Sequence, residues 1–229
     1  MLRDHLVVLL TLGACATAPE PQRFQSFGSM REVMRDGEHQ GRAVIAEVST
    51  PFTVGVGALE GLAGEVTIVD GVALVAQRDG GRVAVRGPRP GERAALLVVA
   101  EVDAWQEVSL TDCASYAALE EQVGAALVRL GMDPREPTPM RVTGRAERLT
   151  MHVIAGACPI AEPSGPAPWR FDGRAEAVAL VGFYVEDAVG VLTHHSRKSH
   201  LHALVGGMAG HLDDVSLRDV RLLLPLRAL

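Results

Sequence analysis

"SHLHALVGGMAGH", Ser199 to His211, decides how the second half of the chain is read: three histidines surround a Gly-Gly pair. A two-residue hairpin turn needs positive φ at its central positions, which suits Gly206-Gly207. With the turn there, Val205 faces Met208 and His202 lies opposite His211. Directly opposed Cβ atoms sit ~4.5–5.5 Å apart. His200, two residues along and on the face of His202, is ~7 Å away. Three imidazoles then converge on one point and leave a fourth position open, the arrangement in which zinc enzymes hold water or substrate. A single strand histidine is ordinarily a surface or satisfied core residue, but three on one face make His200, His202 and His211 a candidate metal site. The same register sets Asp213 opposite His200, where its carboxylate could orient the ring. His194 and His195 fall in the preceding loop, as solvent-facing residues or residues behind the ligands.

Working outward, "EAVALVGFYVEDAVGVLT" reads as a hairpin around Glu186-Asp187, and "MRVTGRAERLTMHVI" as a strand separated from it by a Pro-rich loop, "CPIAEPSGPAPW". "SYAALEEQVGAALVRLG" is the clearest helix. Leu119, Val123, Ala126, Leu127 and Leu130 recur at helical spacing, Ser115 can cap the start and Gly131 can close the end. Before it, "RAVIAEVS", "EVTIVDGVALVAQRDGGRVAVRG" and "AALLVVAEVDAW" are strand-like and broken by Asp70-Gly71, Asp79-Gly80-Gly81 and proline turns. "SMREVMRDG" reads as a short helix ended by Gly37. The expected class is α+β, two mixed or antiparallel β-sheet halves around a central helix.

The chain has 229 residues, 48% of them hydrophobic and 22% charged, enough for a sizeable core. Its net charge is −6 and its basic runs are no longer than Arg197-Lys198, which argues against nucleic acid as a partner. Arg3 precedes an apolar run from Leu6 to Leu12 that ends in "LGAC", with Cys15 last. The run is too short to span a bilayer and fits a signal segment. "LGAC" resembles a bacterial lipobox, with an ordinary signal peptide or a misplaced start as the other readings. The expected organisation is a lipoprotein-type signal over 1–15, a tether over 16–28 and one domain over 29–229. That organisation implies an exported protein, lipid-anchored at Cys15 in the bacterial envelope and facing the periplasm or cell exterior. Cys113 and Cys158 then either pair in an oxidising compartment or stand as separate buried thiols.

"VGFYVEDAVGVLTHHSRKSHLHALVGGMAGHLDDVSL" resembles the C-terminal half of α-acetolactate decarboxylases, where a "GF" strand leads through a loop to an HxH strand and a "GGH"-type third histidine. "TPFTVGVGALEGLAGEVTIVDGVALVA" is similar to that family's glycine-rich strand and "LDGE…DG" segment. The resemblance runs over roughly residues 45–217. It implies a mixed α+β fold, one often found as a homodimer, Zn2+ on His200, His202 and His211, and Glu65 as an acid/base or metal-facing carboxylate. The reaction implied is decarboxylation of 2-acetolactate to acetoin, with zinc stabilising the charge left as carbon dioxide departs and Glu65 protonating the carbanion.

The chain departs from the family in two places. The family's substrate-steadying arginine in the middle strand falls here on His152, which offers no bidentate fork. Arg148, four residues earlier on the same strand face, could substitute, and His152 could equally be a packed strand residue. The family's tail brings a further glutamate to the metal, whereas no Glu follows Glu186 here; Asp213, Asp214 or Asp219 would have to replace it. Two functions remain: a zinc lyase acting on 2-acetolactate or a similar 2-hydroxy-3-keto acid, with Glu65, Arg148 and His152 as catalytic candidates, or a non-catalytic zinc or small-molecule binding module on a lipid anchor. An HxH pair with a downstream GGH-like histidine also resembles the PPC domain, which is shorter and lacks the "GE…DG" half.

Overall fold

The computed structural model describes residues 24–158, 162, 164–194 and 197–226. Two sheets form the protein. The first carries seven strands in the order β1-β7-β3-β4-β5-β6, with the short β2 also on β7. These are β1 (Phe24–Phe27), β2 (Ala43–Val44), β3 (Thr53–Leu59), β4 (Glu65–Val69), β5 (Val72–Asp79), β6 (Arg82–Arg86) and β7 (Arg93–Glu101). The continuous apolar runs explain its position. All of β3 and most of β7 are buried, so side chains on both faces lie away from water. Helix α1 (Met30–Met34) opens with a capping box between Ser29 and Glu32 and buries Met30 and Val33 against Ala58, Leu96 and Cys158.

The second sheet holds β8 (Trp105–Ser109), β9 (Thr138–Val153), β10 (Trp169–Tyr184), β11 (Ser199–Val205) and β12 (Met208–Pro225) in the order β11-β10-β9-β12-β8. Because β11 also pairs with β12, the strands β9 to β12 form a closed circuit. Residues of both sheets pack together, Val56 and Val98 with Phe183 in one cluster and Ala76 with Val153 and Ala209 in another. The helix expected between the sheet halves in sequence is Tyr116–Arg129, capped by Ser115. In space it lies on the second sheet, its Leu119, Val123 and Leu127 in one core with Leu180, Leu201 and Leu222.

Three expectations change. "RAVIAEVS" is a two-residue strand followed by the helical turn Ile45–Val48, which drops Ile45 into the core beneath Leu97 and Val99. The hairpin expected around Glu186-Asp187 is a longer connection, since Tyr184 pairs with Ser199. The expected tether over 16–28 includes β1, which pairs with β7 from Phe24↔Ala100 to Phe27↔Leu97, so Phe24–Phe27 belong to the folded domain and not to a tether. The signal segment, Cys15 and His195 lie outside the described residues. Cys113 and Cys158 are separate buried thiols in different clusters.

Candidate active site

The Gly-Gly turn forms as its chemistry requires, with Gly206 at φ 55° and Gly207 at φ 81°. It pairs Val205 with Met208 and His202 with His211. One ligand nitrogen from each of His200, His202 and His211 lies within 4.8 Å of the others. The cross-strand row runs further than the hairpin. His211 also faces His152 on β9, and His152 faces Arg170 on β10. His202, His211, His152 and Arg170 therefore stand side by side across four strands.

Burial sets the chemistry of this row. His202 is fully buried, and burial drives its pKa down to about 3, with His152 and His194 adding to the effect. Burial likewise holds His200 and His211 well below the ordinary histidine value. All three are neutral imidazoles at physiological pH, the form that ligates a metal. His202 Nδ1 is 2.8 Å from Thr67 Oγ1, which leaves Nε2 for a ligand. That Nε2 and His200 Nδ1 are buried without a hydrogen-bond partner. A buried polar atom without a partner is costly, and a bound cation between the rings removes that cost. The donor set fits zinc: three imidazole nitrogens with an open position.

Glu65 comes from the first sheet, at the start of β4, and its Oε2 lies 3.7 Å from His202 Nε2. With His202 neutral this contact is no ion pair. The Ile154 amide donates to Glu65 Oε1 over 3.3 Å. Burial pushes the Glu65 carboxyl up to about 7, against the opposing pull of His152 and the Ile154 amide. The carboxyl is thus divided between its two protonation states near neutral pH, the condition for general acid and base work.

Asp213 does not sit against His200 as the extrapolated register had it. Beyond His211 the strand leaves β11 for β9, with an irregularity between Leu212 and Asp214, and this turns Asp213 to His152. His152 Nδ1 is 2.8 Å from Asp213 Oδ1, and Arg170 Nη1 is 3.2 Å from Oδ2. Burial disfavours charge on His152, yet the Asp213 hydrogen bond and the Glu65 charge outweigh it and raise the pKa. Arg148 is a correction too. Four strand residues carry it roughly 13 Å from His152, where it is exposed, faces Ser216 and pairs with Asp214. His194 approaches the ligand cluster, with ring centres 4.9 Å from His211 and 6.2 Å from His200.

A cavity of about 330 Å³ opens onto these groups. Glu65, His152, His200 and His211 line one part of it, and Met30, Met34, Ala58, Leu96 and Ile154 supply an apolar wall. Among the lining residues that sequence reasoning missed are Tyr116, Arg170 and Arg197. Arg170 follows from the β9–β10 register, and Arg197 from its place three residues before His200.

Fold and site together define a mixed α+β protein with a three-histidine centre between two sheets. The alpha-acetolactate decarboxylase family matches residues 26–225, and the chain belongs to that family. Two solved structures share its fold, each with a TM-score of 0.71 over 88% of this chain and 84% of the other. One is a Staphylococcus aureus protein of unknown function similar to alpha-acetolactate decarboxylase, 19% identical. The other is alpha-acetolactate decarboxylase from Bacillus subtilis strain 168, 17% identical. No curated protein matches the sequence significantly.

Proposed function

We propose that the chain is a zinc-dependent carboxy-lyase that converts 2-acetolactate to acetoin, or acts likewise on a similar 2-hydroxy-3-keto acid. The observation that carries the reading is the meeting of three imidazoles, their ligand atoms within 4.8 Å of one another, with the buried Glu65 carboxyl 3.7 Å from His202 Nε2. His200, His202 and His211 would hold the zinc ion. Bound there, it supplies a Lewis acid that polarises the keto oxygen and stabilises the negative charge left as carbon dioxide departs. Glu65 holds a proton at its carboxyl for the carbon that has lost carbon dioxide. Met30, Met34, Leu96 and Ile154 keep water from that carbon and accommodate the substrate's alkyl groups.

The test is acetoin release from 2-acetolactate by purified protein, with and without a chelator, beside His202→Ala. The reading requires chelator-sensitive turnover that His202→Ala lacks. Stoichiometric zinc without turnover overturns the lyase and leaves a binding module. We also propose that Cys15 carries a lipid anchor, supported by the "LGAC" segment behind its apolar run; Cys15→Ser should then move the protein from the membrane fraction to the soluble one.

A further inference from the structure

We propose that Arg197 is the residue that recognises the substrate's carboxylate. The proposal rests on the hydroxy-keto acid reading and names the cation such a substrate meets.

Two arginines line the cavity, Arg170 and Arg197. Arg170 is largely spoken for: Asp213 Oδ2 lies 3.2 Å from its Nη1, and its side chain is 61% exposed, so water screens what charge remains. The same carboxylate holds His152. Arg197 differs. Its Nη2 donates to the backbone carbonyl of Asp213 over 2.9 Å, and its Cζ lies 4.1 Å from the centre of the Tyr116 ring. Neither partner is an anion. Among the described residues no carboxylate lies within ion-pairing distance of Arg197, so no direct ion pair takes up the charge it brings to the cavity. A guanidinium has five N–H donors in a rigid fork. The carbonyl takes one, leaving others for a ligand.

The placement of that fork follows from the metal strands. Asp213 is two residues beyond His211. Tyr116, beneath the guanidinium, has its hydroxyl 3.2 Å from Ser199 Oγ, and Ser199 directly precedes His200. Ser199 in turn donates to the buried Glu120 carboxylate over 2.6 Å, and Glu120 also accepts from the Lys198 amide over 2.9 Å. Arg197 is thus tied at one end to the strand of His211 and at the other to the strand of His200. A planar fork held over an aromatic ring suits bidentate capture of a carboxylate, whereas a lysine ammonium at the same place would be a point charge without the second hydrogen bond.

The reaction determines where the interaction shows. The carbon–carbon bond breaks, its electron pair stays with the substrate carbon, and the carboxylate departs as neutral carbon dioxide. A cation on that carboxylate binds the ground state at least as well as the transition state, so it lowers KM more than it raises kcat.

The experiment compares two ligands on the zinc-loaded protein: 2,3-dihydroxy-2-methylbutanoate, an unreactive carboxylate, and 2,3-butanediol, which lacks the carboxylate. Arg197→Met should weaken the acid roughly 10- to 100-fold, the size of a lost charge-assisted hydrogen bond, and leave the diol within about 2-fold. Arg197→Lys should recover part of the loss, and in turnover KM should rise while kcat changes little. Zinc content should not change. Equal weakening of both ligands, or no weakening of the acid, overturns the assignment of Arg197 alone. A wild-type protein that binds neither ligand overturns the hydroxy-keto acid reading and this assignment with it.

Discussion

Asp213 holds His152 and not a metal-binding histidine, with 2.8 Å between Oδ1 and the His152 Nδ1. Its other oxygen reaches Arg170, so one carboxylate fixes two residues of the cross-strand row. Asp213→Ala releases both. A hydrogen bond to a charged group is worth about 1.5–3 kcal/mol, so turnover should fall roughly 10-fold or more while the zinc content stays unchanged. Unchanged turnover would make His152 a packing residue alone.

Thr67 reaches across from the first sheet to His202. When His202 Nε2 ligates, Nδ1 carries the proton and donates to Thr67 Oγ1. Thr67→Val keeps the shape and removes the acceptor. Partners of this kind are worth about 10- to 100-fold in metal affinity, so competition with a chromogenic chelator should show zinc held more weakly by that factor. Thermal stability without metal should change much less. An unchanged zinc affinity would mean that the hydrogen bond does not orient the ring.

How much of this was legible in the sequence depended on how far each residue stood from a fixed point of register. His202 opposite His211 was legible because a two-residue Gly-Gly turn leaves one pairing open to them. Asp213, two residues further, was misplaced because β12 exchanges neighbours there, which local pairing arithmetic does not contain. Glu65 could be singled out only through the family resemblance. Its burial depends on the second sheet closing over β4, a contact between residues far apart in the chain. Arg197 looked like half of a short basic run, and its place over the Tyr116 ring joins a loop to a helix far away in the chain.

Gly182 permits the approach of β10 to the histidine strand. A Cβ there would lie 1.9 Å from the His200 carbonyl oxygen, and backbone cannot swing aside as a long side chain can. Gly182→Ala should therefore cost about 3 kcal/mol, the upper end for overpacking. It should also displace His200, so urea unfolding should show a lower midpoint and the variant should bind zinc poorly. Full stability with intact zinc binding would mean that the strands separate without cost to the site.

The stability of the first sheet should depend on pH through Glu92. Its carboxylate takes two hydrogen bonds from Arg86, at 2.7 and 2.8 Å, and a third from the Arg89 amide at 2.8 Å. The Arg86 hydrogen bonds foremost hold the Glu92 carboxyl below its ordinary value, while partial burial opposes them. A group whose folded pKa is depressed contributes stability that is present above the unfolded value, about 4.3 for Glu. That contribution is lost as pH falls through the folded pKa. Glu92→Gln should therefore cost about 1 kcal/mol at pH 7, as expected for a bidentate pair near the surface. As pH falls below ~4.3 the difference should shrink, because the carboxylate of the unfolded chain then takes up a proton while the folded one holds its charge down to its lower pKa. Urea midpoints of the two proteins at pH 7 and pH 3 measure this. A gap of the same size at both values would mean that Glu92 acts by shape and not by charge.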